Sequence, residues 1–111
     1  MNQALLGTIP FGIDIVDESG NILFLNSIFE GIVGKDGVGK KCWDAYKDDK
    51  TQCPTCPLIE GINPGETRNI ETAGAFNGKT FQIFHTGMIY QGKEAVIEVF
   101  IDITERKEKE E

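Results

Sequence analysis

The sequence predicts an α+β domain in which two strands, several short helices and three further strands follow one another in that order. Three observations carry this expectation. Apolar and polar residues alternate over residues 12–17 and again from Lys93 onward. Apolar residues at helical spacing lie between those stretches, and Asn77-Gly78 and Gln91-Gly92 are two-residue turn signals that make consecutive antiparallel pairing the simplest arrangement. A chain of 111 residues has room for one core, since domains commonly run to about 100–150 residues. With 40% hydrophobic and 26% charged residues the composition is that of an ordinary globular protein.

Residues 12–17 suit a half-buried strand, Glu18-Ser19-Gly20-Asn21 supplies a turn, and Ile22-Leu23-Phe24-Leu25 follows as the second strand of a hairpin. Ser27 and Glu30 have the spacing of a capping box, and Ile28, Phe29, Ile32 and Val33 then share one face of a helix over about 27–33 that Gly34 can end. A weaker helical pattern covers residues 39–46, where Cys42, Trp43 and Tyr46 can share a face. Pro57 suits the first position of another helix with Cys56 as its cap, Leu58, Ile59 and Ile62 as its apolar face and Asn63-Pro64-Gly65 as its stop. Strands are expected at about 67–73, 79–90 and 93–104. In the last of these Ala95, Ile97, Val99, Ile101 and Ile103 point one way, and Val96, Glu98, Phe100 and Asp102 the other. Only the first of those faces is wholly apolar. From Glu105 the charged, helix-forming run reads as the opening of a helical linker. The expected organisation is a flanking segment at 1–11, a domain at 12–104 and the linker at 105–111.

The formal charge of −7, with arginine only at positions 68 and 106, leaves no basic face for nucleic acid. The longest strongly apolar stretch, residues 95–101, falls far short of the ~20 residues that span a bilayer, and the first residues lack the pattern of a secretory signal. The segment therefore reads as cytoplasmic and without membrane contact of its own, while a longer parent protein can carry an anchor upstream. Asp14, Asp17 and Glu18 are read as solvated strand-edge and turn carboxylates. Nucleophilic triads, phosphate-cradling loops and metalloprotease helices are not found, so no enzymatic activity is expected of the domain.

Three cysteines cannot all pair within one chain. Cys53-Pro54-Thr55-Cys56-Pro57 is compact enough for two thiolates to grip zinc or part of an iron–sulfur cluster, with Cys42 as a third ligand. His85, the single histidine, is the candidate fourth ligand, although its place in a strand beside Phe81 and Ile83 equally suits a packed core residue. A helix N-terminus at Cys56 favours the thiolate, so a reversible Cys53–Cys56 disulfide is a second reading. Plain packing of small apolar side chains is the third.

The run Gly12-Ile13-Asp14-Ile15-Val16-Asp17-Glu18-Ser19-Gly20-Asn21-Ile22-Leu23-Phe24-Leu25-Asn26 resembles the opening of PAS domains. The close, Phe100-Ile101-Asp102-Ile103-Thr104-Glu105-Arg106-Lys107, is similar to the Asp-Ile-Thr-Glu-Arg-Lys ending with which many prokaryotic PAS domains enter a signalling helix. The resemblance covers nearly the whole chain and is most specific at this close. It implies a five-stranded antiparallel sheet in spatial order 2-1-5-4-3, with short helices on one face and a ligand cavity between the layers. It also implies an output domain on the same polypeptide, a histidine kinase above all, and Asp102 and Thr104 as the link to it. Similar domains carry a comparable Cys–Pro-bounded pair.

Candidate cavity residues are Trp43, Tyr46, Phe81, Ile83, His85, Ile97 and Val99, which can equally fill a core. Flavin-photoadduct members carry a reactive cysteine where this chain has Asn26-Ser27-Ile28-Phe29-Glu30, and haem-binding members present an axial histidine from the helical side, whereas His85 falls in a strand. Neither cofactor is supported. The leading expectation is a homodimer-forming sensor of a small ligand or of redox state. The alternatives are a thiol oxidoreductase using Cys53 and Cys56, which lacks the usual βαβ setting, and a ligand-free dimerisation module with contacts through Val96, Phe100 and Ala4-Leu5-Leu6.

Overall fold

Turn chemistry sets the topology. Asp17 Oδ1 accepts from the backbone N–H groups of Ser19 and Asn21, both at 2.9 Å, folding the chain back at Gly20. Gln91 and Gly92, at φ 51° and 83°, form a tight turn of the kind that matches strand twist. At the third turn both oxygens of Asp48 accept backbone N–H groups, from Asn77 and from Gly78, each at 2.8 Å.

The computed structural model describes residues 11–110. Strands β1 (Gly12–Val16) and β2 (Ile22–Leu25) lead into helix α1 (Ser27–Val33), a single 3-10 turn (Lys35–Gly37) and helices α2 (Cys42–Tyr46) and α3 (Pro57–Glu60). Strands β3 (Thr67–Ala75), β4 (Lys79–Tyr90) and β5 (Lys93–Asp102) follow, and helix α4 (Thr104–Glu110) leaves the domain. The five strands form one sheet in the order β2-β1-β5-β4-β3, every neighbouring pair antiparallel. That is the sheet order the resemblance implies. Among the described residues no helix is long and apolar enough to cross a membrane.

Local chemistry departs from expectation at the helices. Asn26, not Ser27, caps α1. Its Oδ1 accepts from Phe29 N–H at 3.1 Å and from Ile13 N–H at 3.2 Å, satisfying the helix and tying it to β1 with one side chain. The expected Ser27–Glu30 box is thereby displaced. Helix α2 starts at Cys42 rather than Gly39 because residues 39 and 40 are held as an extension of the sheet, with Gly39 N–H on Ile22 O and Ile22 N–H on Lys40 O, both at 2.8 Å. Cys56 and Pro57 open α3 as expected, but Gly61, at φ 87°, stops it after one turn.

The helices cover one face of the sheet. Phe29 is the hub, with ring centroids 5.0 Å from Tyr46, 5.6 Å from Phe76 and 5.0 Å from Phe100. Strand β5 is turned the opposite way to the sequence expectation, because Val96, Glu98 and Phe100 are buried against the helices. Ile97 and Val99 lie on the outer face, opposite Ile15 and Ile13. A buried face with a carboxylate at its centre, opposite an outer face that is also apolar, inverts the usual count of hydrophobic residues. Val96 and Phe100 are thus core residues and not dimer contacts, while Ala4, Leu5 and Leu6 lie outside the described residues.

The chain between α3 and β3 packs backbone to backbone on β4. Gly65 N–H donates to Gly87 O and Gly87 N–H to Glu66 O, both at 2.9 Å. A Cβ on Gly87 would meet Asn63 O at 2.1 Å. Gly87→Ala is therefore expected to push that segment away and lower stability by about 1–3 kcal/mol, read as a lower denaturation midpoint. A gain, as an unhindered Gly-to-Ala change often gives, would contradict this contact.

Candidate functional site

Antiparallel register places one titratable residue from each of the three central strands in a single row. Asp14 of β1 stands opposite Glu98 of β5, and Glu98 stands opposite His85 of β4. All three are buried, at 0%, 2% and 1% exposure respectively. The reading of Asp14 as a solvated strand-edge group is thus overturned. β1 is flanked by β2 and β5, and its inner face lies under the helices.

Tyr46 of α2 donates its hydroxyl to Asp14 Oδ2 at 2.5 Å, and His85 Nε2 lies 3.0 Å from Glu98 Oε2. Burial holds the Asp14 carboxyl well above the usual range. The charge and the carboxyl contact of Glu98 add to the rise, while the Tyr46 hydroxyl and His85 oppose it. Burial pushes Glu98 up to about 7, against the lowering contact with Asp14. Burial also pushes His85 down to about 4, against the upward pull of the Ile83 backbone and Asp14. The imidazole is therefore neutral at pH 7, and its contact with Glu98 is an N–H donation, not an ion pair. Tyr46 is pushed far above its ordinary value, by burial first and the Asp14 charge next.

Between this row and the helices lies a cavity of about 30 Å³, close to the share of one water in the liquid. Of the expected lining residues, Trp43, Tyr46, Ile83 and His85 line it. Phe81 is fully buried in the aromatic core, 5.6 Å from Phe76 and 5.8 Å from Phe100, and does not reach the cavity. Ile97 and Val99 face the other way. Residues the sequence reading left out also line it, among them Glu98, Gln52 and Thr72. A signal for Asp14 and Glu98 was present, since an acidic residue in the middle of an apolar strand calls for a buried partner.

Cys42, Cys53 and Cys56 line the same cavity and are all free thiols. Thr72 donates its hydroxyl to Cys53 Sγ at 3.4 Å. Burial raises the Cys42 and Cys56 thiols, in Cys56 against the lowering effect of the Leu58 backbone contact. A one-turn helix gives Cys56 too little field to reverse that, so the expected thiolate there is not favoured. Among the described residues no three His, Cys, Asp or Glu side chains are arranged to hold a metal ion.

The exit is a clasp. Thr104 donates N–H and hydroxyl to Asp102 Oδ1, at 2.9 and 2.6 Å, and its hydroxyl oxygen accepts Thr80 N–H from β4 at 2.9 Å. Ile103, buried at 5% exposure, donates its N–H to Thr80 O at 2.9 Å. Arg106 and Lys107 of α4 reach Glu71 of β3 at 3.2 and 3.0 Å.

No family model matches the chain, and no curated protein matches it. Among solved structures it is similar to the PAS domain of an HTR-like protein from Haloarcula marismortui, with a TM-score of 0.65 and 18% identity over 90% of this chain and 87% of that one. It is similar to the PAS domain of BvgS from Bordetella pertussis, with a TM-score of 0.60 and 21% identity over 96% of this chain and 87% of that one. The PAS domain of nitrogen regulation protein NR(II) from Vibrio parahaemolyticus gives 0.57 and 13% over 83% and 88%. At these identities the likeness is one of fold, and the fold is the PAS fold.

Proposed function

We propose that this PAS-fold chain is the sensory domain of a larger signalling polypeptide, taking up a small ligand or a redox change in its interior and relaying it to an output domain beyond Glu111. The observation that carries the reading is the course of β5. Glu98 and Phe100 line the cavity, and Asp102, two residues further on, holds the clasp that opens α4. A change of shape at the cavity is thereby delivered to the exit along one strand. The solved neighbours are PAS domains of a nitrogen regulation protein and of BvgS, which supports a signalling role. The choice of a histidine kinase as output follows from the resemblance of the closing motif, and the reading of the domain as non-catalytic from the lack of catalytic motifs in its sequence.

The test is Thr104→Ala and Asp102→Ala in the full-length polypeptide. Each removes two of the clasp hydrogen bonds and is expected to lower domain stability by about 1–3 kcal/mol while abolishing signal-dependent output. Unchanged signal dependence in both variants would refute the relay.

The present cavity is about 30 Å³, whereas sites for organic ligands run to ~300 Å³ or more. An organic ligand therefore requires the cavity to widen. A thiol-redox input is the second reading, favoured by three free cysteines on one cavity. Thiol counting under oxidising and reducing conditions tests it, and three thiols that stay free in both exclude it. Free cysteines also suit a reducing, cytoplasmic compartment. A homodimer is supported by the outer sheet face, where Phe24 is 40% exposed beside Ile13, Ile97 and Val99. Sedimentation of the chain with and without residues 1–8 reports whether the N-terminal segment contributes.

A further inference from the structure

The Asp14–Glu98–His85 row is short of protons. Among the described residues, Asp14 Oδ1, Glu98 Oε1 and His85 Nδ1 are buried with no hydrogen-bond partner. Two carboxylates paired across neighbouring strands in a buried site cannot readily both keep their charge unless a cation lies beside them.

The groups facing the row from each packed element supply none. From α2 come the Tyr46 hydroxyl, already given to Asp14, and the Cys42 thiol. Lys47, just beyond α2, lines the cavity but turns its ammonium to Asp49 at 3.4 Å and Thr51 O at 3.3 Å. The segment before α3 offers the thiols of Cys53 and Cys56. From β3, Arg68 stands opposite His85, yet its guanidinium binds Glu66 at 2.9 Å and Glu60 at 3.3 Å. His85 itself is a neutral donor toward Glu98 Oε2.

We propose that Asp14 and Glu98 hold one proton in common and form a proton-binding site, whose release to bulk water drives α2 away from the sheet. A single proton between the two carboxyls gives both Asp14 Oδ1 and Glu98 Oε1 a partner. The other two oxygens are already occupied by Tyr46 and His85. Once the proton leaves, two negative groups face only neutral donors, and water is the remaining source of compensation. It enters from the cavity side, where Trp43 and Tyr46 of α2 form the wall. The hydrogen ion is thus an input in its own right, and the site stands whether or not an output domain follows.

The test uses the wild-type chain with carbon-13 in its Asp and Glu carboxyls, titrated from about pH 4 to about pH 9. Two carboxyl carbons should move together near neutrality. The emission of Trp43, the only tryptophan, should change with the same midpoint. In Glu98→Gln the Asp14 midpoint should fall by about one unit or more, and the Trp43 transition near neutrality should vanish. The proposal is overturned if every carboxyl in the wild type has titrated by about pH 5.5, or if Trp43 emission is flat across the range. It also fails if His85→Gln abolishes the transition while Glu98→Gln leaves it, because the imidazole is then the titrating group.

Discussion

Glu98→Gln is expected to gain stability relative to the wild type as pH rises from 4.5 to about 7, and to be the more stable of the two at pH 8. In the unfolded chain Glu98 gives up its proton near 4.5, and in the folded one near 7. Over that interval the native state holds a proton that the unfolded state has lost. Its contribution is therefore complete below 4.5, is lost as pH rises to about 7 and is constant above. Asp14, raised from 3.8, acts in the same direction. His85 acts in the opposite one. Its folded value is about 4 against 6.5 unfolded, so its contribution is present above 6.5 and lost as pH falls toward 4.

In the wild type the one proton shared by Asp14 and Glu98 is set against one imidazole, and Glu98→Gln removes the Glu98 part of that balance. At one unit per about 1.4 kcal/mol, Glu98 alone accounts for a difference of about 3 kcal/mol between the ends of its window. Denaturant unfolding at a series of pH values reads this directly, and parallel curves for the two proteins would contradict it.

Phe29→Ala should be the most damaging single truncation, lowering stability by about 3–5 kcal/mol out of the 5–15 typical of a domain. The ring is fully buried and touches Phe11, Tyr46, Phe76 and Phe100. Gly12 lies so close beneath it that a Cβ there would stand 2.2 Å from the ring, which leaves no route for β1 to collapse into the gap without breaking its pairing. Loss of the ring also frees Tyr46, whose hydroxyl is the donor to Asp14. Equilibrium unfolding measures the effect, and a loss below about 1 kcal/mol would mean that Phe29 is not the hub.

Local signals made the strands and turns legible in the sequence. Asn77-Gly78 and Gln91-Gly92 require positive φ and take it, and Pro57 opens its helix where a missing N–H does no harm. What stayed hidden was non-local. Alternation in β5 says that two faces differ, not which one is buried. The more apolar set, Ile97 and Val99, faces outward because Glu98 is needed inward beside Asp14 and His85. Each of those three residues looks solvated or merely packed when read alone. Their meaning lies in a register between strands that are distant in sequence, and alternation within one strand cannot report that. Asp102 and Thr104 were indicated by the resemblance of the closing motif, although the third member of their clasp, Thr80, was not legible.

The claim that the interior and the exit are joined through β5 is tested most directly by amide chemical shifts of Thr80 and Ile103 across the pH range in which Glu98 ionises. Both N–H groups belong to the exit hydrogen bonds and not to the row itself. The account predicts that they move with the midpoint of the Glu98 carboxyl carbon and cease to do so in Glu98→Gln. Shifts that stay constant near neutrality would contradict it.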